Sequence, residues 1–147
     1  MTVRSQDLMR WNIPIVTEQA SVEYVAEVMR DENLGFLPIV EDEESRRVVG
    51  VVTDRDLVLE VVAENRLPRS LKAGDVMNRQ VLTASPDDDL AEVEQKMKTA
   101  EIRRLPLVDA EGRLVGVISA HDIAQREDDE RTGELFRAVS KHSAQIQ

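Results

Sequence analysis

The sequence predicts an α+β fold in which one strand–helix–strand–strand–helix unit occurs twice, the two copies packed about a pseudo-twofold axis. The first observation behind this is an internal repeat. Leu37-Pro38-Ile39-Val40 recurs as Leu105-Pro106-Leu107-Val108, and the stretch from Arg47 to Leu57 recurs from Arg113 to Ile123. Upstream, Val22 to Met29 aligns with Leu90 to Met97, and Asp7-Leu8-Met9 with Asp75-Val76-Met77. The offset is 68 residues before the second strand and 66 after it, because the acidic loop from Glu41 to Arg46 is two residues longer than its counterpart. The second observation is that hydrophobic periodicity changes in the same order in both copies. The third is size: a copy of about 66 residues would be marginal alone, and two packed together are not.

Each element follows from local pattern. A short apolar strand ending in threonine is expected at Ile15-Val16-Thr17 and again at Val81-Leu82-Thr83. A helix follows, with Val22, Val25, Ala26 and Met29 at i, i+3, i+4 and i+7; the second copy keeps Leu90, Val93 and Met97. Strands at 37–40 and 48–53 form a hairpin, repeated at 105–108 and 114–119. A second helix starts at Thr53 and at Ser119. The expected division is repeat 1 at 1–64, a linker with Pro68 at 65–72, repeat 2 at 73–127 and a helical tail at 128–147. In that tail Leu135, Phe136 and Val139 share one side, and Gly133 weakens the helix.

Composition narrows the function classes. The chain has 147 residues, 41% hydrophobic, 33% charged and 3% aromatic, which fits a globular domain. It has no cysteine, so disulfides, thiolate nucleophiles and zinc-thiolate sites are excluded. The net charge is −10, with nine basic against fourteen acidic residues in 1–72 and ten against fifteen in 73–147. A field this acidic, without a basic arm, repels a phosphate backbone, so no nucleic-acid partner is expected. Apolar runs reach only five residues, far short of a membrane span, and the first seven residues lack an apolar signal centre. A cytoplasmic protein without a membrane partner is the expectation.

The pattern that carries chemistry is Gly-apolar-apolar-Thr/Ser-x-x-Asp, at Gly50 to Asp56 and Gly116 to Asp122, each where a strand turns into a helix. Two accounts of it stand. In one, Thr53 and Ser119 are N-caps and Asp56 and Asp122 complete a capping box, an aspartate replacing the usual glutamate or glutamine. In the other, the helix N-terminus and the hydroxyl receive an anion, and the aspartate accepts hydrogen bonds from vicinal ribose hydroxyls.

Together with Leu-Pro-apolar-Val and the preceding apolar-x-Thr strand, this pattern resembles a tandem pair of CBS (cystathionine beta-synthase) domains, a Bateman module, over about residues 7–125. The resemblance implies two βαββα-type CBS repeats. It also implies an adenosine-containing ligand, such as AMP, ADP, ATP or S-adenosylmethionine, in the clefts between them. By the same resemblance Asp56 and Asp122 hold ribose hydroxyls, and Thr53 and Ser119 lie near phosphate. The backbone at Leu37-Pro38 and Leu105-Pro106 reads the adenine edge, and Thr17 and Thr83 line the pocket. The second repeat fits better: Arg103 and Arg104 precede Leu105, where a phosphate needs charge-assisted donors. The first has Gly35 and Phe36 there, so its phosphate contact must come from Arg55 or from the other repeat.

Other candidates carry less. Ser119, His121 and Asp122 hold the three triad types within four residues of a helix start, where they cannot form the relay. Asp87-Asp88-Asp89 reads as the acidic first turn of a helix, not a metal site. The expectation is a stand-alone sensor or regulatory module with no catalytic residues, no required cofactor and an adenosine nucleotide as regulatory ligand, signalling to an unknown effector protein. The alternative is a structural oligomerisation module without a nucleotide. A homodimer is expected because Leu57-Val58-Leu59-Glu60-Val61-Val62-Ala63 is apolar nearly all round, unlike Ile123-Ala124-Gln125-Arg126-Glu127.

Overall fold

The computed structural model describes residues 2–126 and 129–146, with side chains up to Ser140 other than Asp129. The boundary expected at 127/128 and the last residue lie outside the described residues. In order, the elements are α1 (Val22–Glu32), β1 (Phe36–Val40), β2 (Val48–Thr53), α2 (Asp54–Leu57, running into a π-helical turn at Val58–Val62), α3 (Ala73–Val76), α4 (Leu90–Ala100), β3 (Arg104–Val108), β4 (Leu114–Ser119), α5 (Ala120–Ala124) and α6 (Asp129–Ile146). Short 3-10 turns lie at Ser5–Asp7 and Pro68–Ser70. Two two-stranded sheets, β1-β2 and β3-β4, and the helices around them give the α+β fold that the repeat predicted.

The chain divides into two compact units. One holds the described residues of Met1–Ile13, Leu82–Ala110 and Val115–Gln147; the other holds Pro14–Val81 and Glu111–Leu114. We call the first the C-unit and the second the N-unit. The units are packing entities and do not follow the sequence repeats residue for residue, because each repeat's opening segment packs in the unit of the other repeat. In the C-unit, Arg10 and Val117 exchange both backbone hydrogen bonds, at 2.8 and 2.9 Å. In the N-unit, Asn78 and Val51 do the same, at 2.9 and 3.0 Å. Helix starts repeat the pattern: Val22 N–H donates to Leu71 O in the N-unit, and Leu90 N–H donates to Val3 O in the C-unit.

The strand expected at the start of each repeat is reduced to a single parallel bridge, Thr17 with Val40 and Ala84 with Leu107. The chain turns at once toward the helix: Ala20 N–H donates to Thr17 O, and Asp88 N–H to Ser85 O. The register also corrects the pairing of the threonines. Val40 N–H donates to Val16 O and Val108 N–H to Ala84 O, both at 2.9 Å, so Val16 and Ala84 are counterparts. Thr17 then corresponds to Ser85, and Thr83 to Ile15.

In the N-unit β1 and β2 are antiparallel, Phe36 facing Thr53, with an irregularity between Ile39 and Val40. Every residue of β1 is buried, Leu37 and Ile39 completely. The buried stripe of α1 is Val22, Val25, Val28 and Met29; Ala26, placed on that stripe by periodicity, is exposed. The C-unit core gathers Leu90, Val93 and Met97 from α4, Leu105 and Leu107 from β3, and Ile118 from β4. Each such side chain contributes roughly 1.5–3 kcal/mol of burial. Helix α6 closes this core with Leu135 and Val139, and Phe136 packs at its edge. Arg131 reaches the buried Glu94 at 2.6 Å, so the one acid in the α4 core stripe is paired. Among the described residues no helix is long and apolar enough to cross a membrane.

Candidate ligand-binding site

The two strand-to-helix turns have the same internal geometry. In the N-unit, Thr53 Oγ1 accepts from Asp56 N–H at 3.1 Å, and Asp56 Oδ2 accepts from Thr53 N–H at 2.8 Å. In the C-unit, Ser119 Oγ accepts from Asp122 N–H at 3.0 Å, and Asp122 Oδ2 accepts from Ser119 N–H at 2.9 Å. Both turns are therefore closed capping boxes, each cap worth about 1 kcal/mol. The four side chains stay half-exposed, and each box uses Oδ2 of its carboxylate and not Oδ1. His121 takes no part: its Nε2 lies 3.2 Å from Gln125 Nε2. The Ser119 hydroxyl is held by Asp122's amide, so no nucleophile-base relay forms there.

The glycine that opens each motif has a steric cause. A Cβ on Gly50 would lie 2.5 Å from Met77 Sδ and 3.1 Å from Asn78 O. One on Gly116 would lie 2.8 Å from both Met9 Sδ and Arg10 O. The opening segments, Met9-Arg10 and Met77-Asn78, cross their strands at these bare positions and so hold the strands that lead into Thr53 and Ser119. The sequence pairs Met9 with Met77, but nothing in one dimension says that each lies on the glycine of the other repeat.

Each turn is next tied to the entry of the hairpin's first strand. Asp54 N–H donates to Gly35 O at 3.0 Å, and Ala120 N–H donates to Arg103 O at 2.7 Å. Gly35 and Arg103 thus occupy one position, and Asp54 and Ala120 another. Arg103 and Arg104 are exposed beside the Ser119–Asp122 box, and Phe36, the counterpart of Arg104, is buried. Asp54 lies over Gly35: a Cβ there would be 2.8 Å from Asp54 Oδ2. Sequence reasoning singled out the arginines and missed this aspartate, which is visible only as a partner of the small residue at 35.

The remaining expected residues are distributed as follows. The side chains of Leu37, Pro38, Leu105 and Pro106 are buried, so these residues can offer a ligand only backbone atoms. Pro106 O already accepts from Ala84 N–H at 3.1 Å. Thr17 and Thr83 are half-exposed, on either side of the buried Val16 and Ala84 in chain order, and Thr83 O accepts from Lys96 Nζ at 3.0 Å. Asp89 is the N-cap of α4, accepting from Glu92 N–H, so the acidic run 87–89 ends at the cap, just before the helix, and does not form its first turn. A hydrogen bond from Glu92 to Asp88 raises the Glu92 pKa above the usual carboxylate value. A shallow open groove along α4, with Leu82, Gln95, Lys96 and Thr99 among its lining, contains none of the expected ligand residues. Among the described residues no group of three or more histidine, aspartate and glutamate side chains is placed to hold a metal ion.

Comparison with known proteins identifies the family and the fold. The family model for the CBS domain matches twice, over residues 5–63 and 73–129. YlbB of Bacillus subtilis, an uncharacterized protein, is 34% identical over 137 residues, which cover 92% of this chain and 90% of YlbB. The protein MK0525 of Methanopyrus kandleri is 36% identical over 103 residues, 70% of this chain and 52% of that protein, so the chain spans about half the length of that relative. Among solved structures, the CBS domain pair of protein MJ0100, crystallised with 5′-methylthioadenosine and S-adenosyl-L-methionine, is 27% identical with a TM-score of 0.74. That match covers 85% of this chain and 95% of the other.

Proposed function

This chain belongs to the CBS domain family as a tandem pair of its domains, and from that premise we propose that it is a sensor module binding an adenosine-containing ligand. The observation that carries this reading is the Ser119–Asp122 box with Arg103 and Arg104 at the adjoining strand entry. Asp122 Oδ1, which the box does not use, accepts a ribose hydroxyl. The guanidinium groups supply charge-assisted donors to a 5′-phosphate. The backbone at Leu105-Pro106 meets the adenine edge, and Thr83 lines the pocket. In the N-unit the roles of Asp122, Ser119 and Leu105-Pro106 fall to Asp56, Thr53 and Leu37-Pro38; Thr17 lines that pocket from a position of its own, the counterpart of Ser85 and not of Thr83. The adenosyl compounds bound by the MJ0100 domain pair support the ligand class.

A ligand that binds one arrangement of the module better than another shifts the population toward it by that difference in affinity, and an effector protein reads the result. No step of this requires catalysis, a resident cofactor or a metal, and the module works in the cytoplasm. It works as a homodimer, joined through the helix after Asp56: Val58 is 55% and Val62 71% exposed, with Leu59 beside them. Large apolar side chains exposed together in one short helical stretch mark an association surface.

A second reading keeps both positions empty and makes the chain a structural interaction module. The closed capping boxes favour it, because they account for Thr53, Asp56, Ser119 and Asp122 with no ligand at all. Thermal denaturation with AMP, ADP, ATP, S-adenosylmethionine, 5′-methylthioadenosine and NAD separates the two. The sensor reading expects at least one of them to raise the melting temperature, whereas the structural reading expects none to do so.

A further inference from the structure

The two units place opposite charges at one and the same joint, on its two opposite sides. The equivalence comes from backbone geometry. The hydrogen bond that ties the strand entry to the helix start joins Gly35 O to Asp54 N in the N-unit, and Arg103 O to Ala120 N in the C-unit. At this joint the C-unit has a long cation followed by a small apolar residue, and the N-unit has no side chain followed by an acid. The exchange is sterically coupled. Asp54 Oδ1 accepts from Arg55 N–H at 2.8 Å, which holds the carboxylate at the turn. Its Oδ2 then stands 2.8 Å from where any Cβ on residue 35 would be, so a base cannot be placed there while Asp54 keeps this rotamer. Phe36, facing Thr53 across the sheet, is in the core and gives no second cation in place of Arg104.

We propose that Asp54 is the specificity-determining residue of the N-unit, and that it selects an adenosyl ligand whose 5′ substituent is uncharged or cationic, a thioether or a sulfonium. This rests on the adenosyl reading above and divides it between the units: phosphorylated adenosines at Arg103 and Arg104, unphosphorylated ones at Asp54. A phosphate at the Thr53 turn meets a carboxylate one residue along the chain, and repulsion between like charges at that range disfavours its binding. A thioether meets no such penalty, and a sulfonium gains an attraction. The neighbouring Arg55 is the one cation on the same turn, and its substitution is part of the test.

Isothermal titration of the full chain with AMP and with 5′-methylthioadenosine decides this. In an Asp122→Ala background, where AMP binding at the C-unit position is weakened, 5′-methylthioadenosine binds at least tenfold tighter than AMP. Adding Asp54→Asn removes the charge at constant shape, tightens AMP several-fold and leaves 5′-methylthioadenosine unchanged. Adding Gly35→Arg with Asp54→Ala builds the C-unit arrangement into the N-unit and reverses the preference. Arg55→Gln removes the one cation of that turn, weakens AMP further and so widens the preference for 5′-methylthioadenosine. Should the Gly35→Arg variant fail to fold, Asp54→Asn carries the test. AMP binding as tightly as 5′-methylthioadenosine in the Asp122→Ala background, a ratio unmoved by Asp54→Asn, or no binding in that background while the unaltered chain binds would each overturn the proposal and leave the adenosyl reading intact. An unaltered chain that binds neither compound overturns both.

Discussion

Met9 lies across Gly116, its Sδ 2.8 Å from the point where a Cβ would stand, and Met77 lies across Gly50 in the same way, at 2.5 Å. A residue from the opening of each repeat thus locks the strand that leads into the other repeat's capping box, and glycine is the only residue that leaves it room.

Gly116→Ala therefore destabilises the fold by about 1–3 kcal/mol, the usual cost of overpacking. The new methyl meets Arg10 O, a backbone atom at 2.8 Å, as well as the movable Met9 side chain. Gly50→Ala costs less once Met77 is shortened to alanine, because its nearest backbone atom, Asn78 O, is at 3.1 Å. Urea denaturation of the two single variants and of the Gly50→Ala/Met77→Ala double checks this. A Gly116→Ala variant as stable as the parent contradicts it.

The docking of α6 rests on Leu135 and Val139 and on the Arg131–Glu94 pair, in which the Glu94 side chain is only 6% exposed and the Arg131 side chain 43%. Arg131→Ala leaves a buried carboxylate without its partner and costs about 1–3 kcal/mol. Replacing both residues by leucine costs less than this single change, since the burial penalty disappears with the charge. Chemical denaturation of the two variants measures the difference, and a double variant less stable than Arg131→Ala would refute the argument.

Asp122→Ala and Asp56→Ala each open a capping box, so both lower stability by about 1 kcal/mol. Their effects on AMP binding differ. Loss of a hydrogen bond to a charged group costs roughly 1.5–3 kcal/mol, so Asp122→Ala weakens AMP by about tenfold to a hundredfold, and Asp56→Ala by much less. Calorimetry giving equal losses, or the larger loss at Asp56, would reverse the ranking of the two units.

If the chain associates as proposed, Val58→Glu and Val62→Glu, which place a charge on the exposed stretch after Asp56, convert the proposed homodimer to monomer at micromolar concentration, which light scattering reads directly. A dimer that survives both substitutions has its interface elsewhere.

The repeat made most of this fold legible. Strands, helix starts and both capping boxes follow from short patterns that occur twice, and each is a local matter of alternation or of one hydroxyl and one carboxylate three residues apart. What it did not disclose is non-local. Thr17 and Thr83 look equivalent in sequence, and only the hydrogen bonds of Val16 and Ala84 show that they are not. The seating of Met9 on Gly116 joins residues more than a hundred apart, and no periodicity records it. In sequence, an aspartate at a helix start needs no further explanation; the pairing of Asp54 with Gly35 is a fact of geometry.

The central claim, that this tandem CBS pair is a sensor of adenosine-containing ligands, is tested most directly by calorimetric titration of the unaltered chain with AMP, S-adenosylmethionine and 5′-methylthioadenosine. The account predicts saturable binding by at least one of them. It also predicts a matching rise in melting temperature, worth about 2.7 kcal/mol at a hundredfold excess over the dissociation constant. No heat of binding and no thermal shift with any of the three at millimolar concentration would contradict it and leave the closed capping boxes as the whole meaning of the motif.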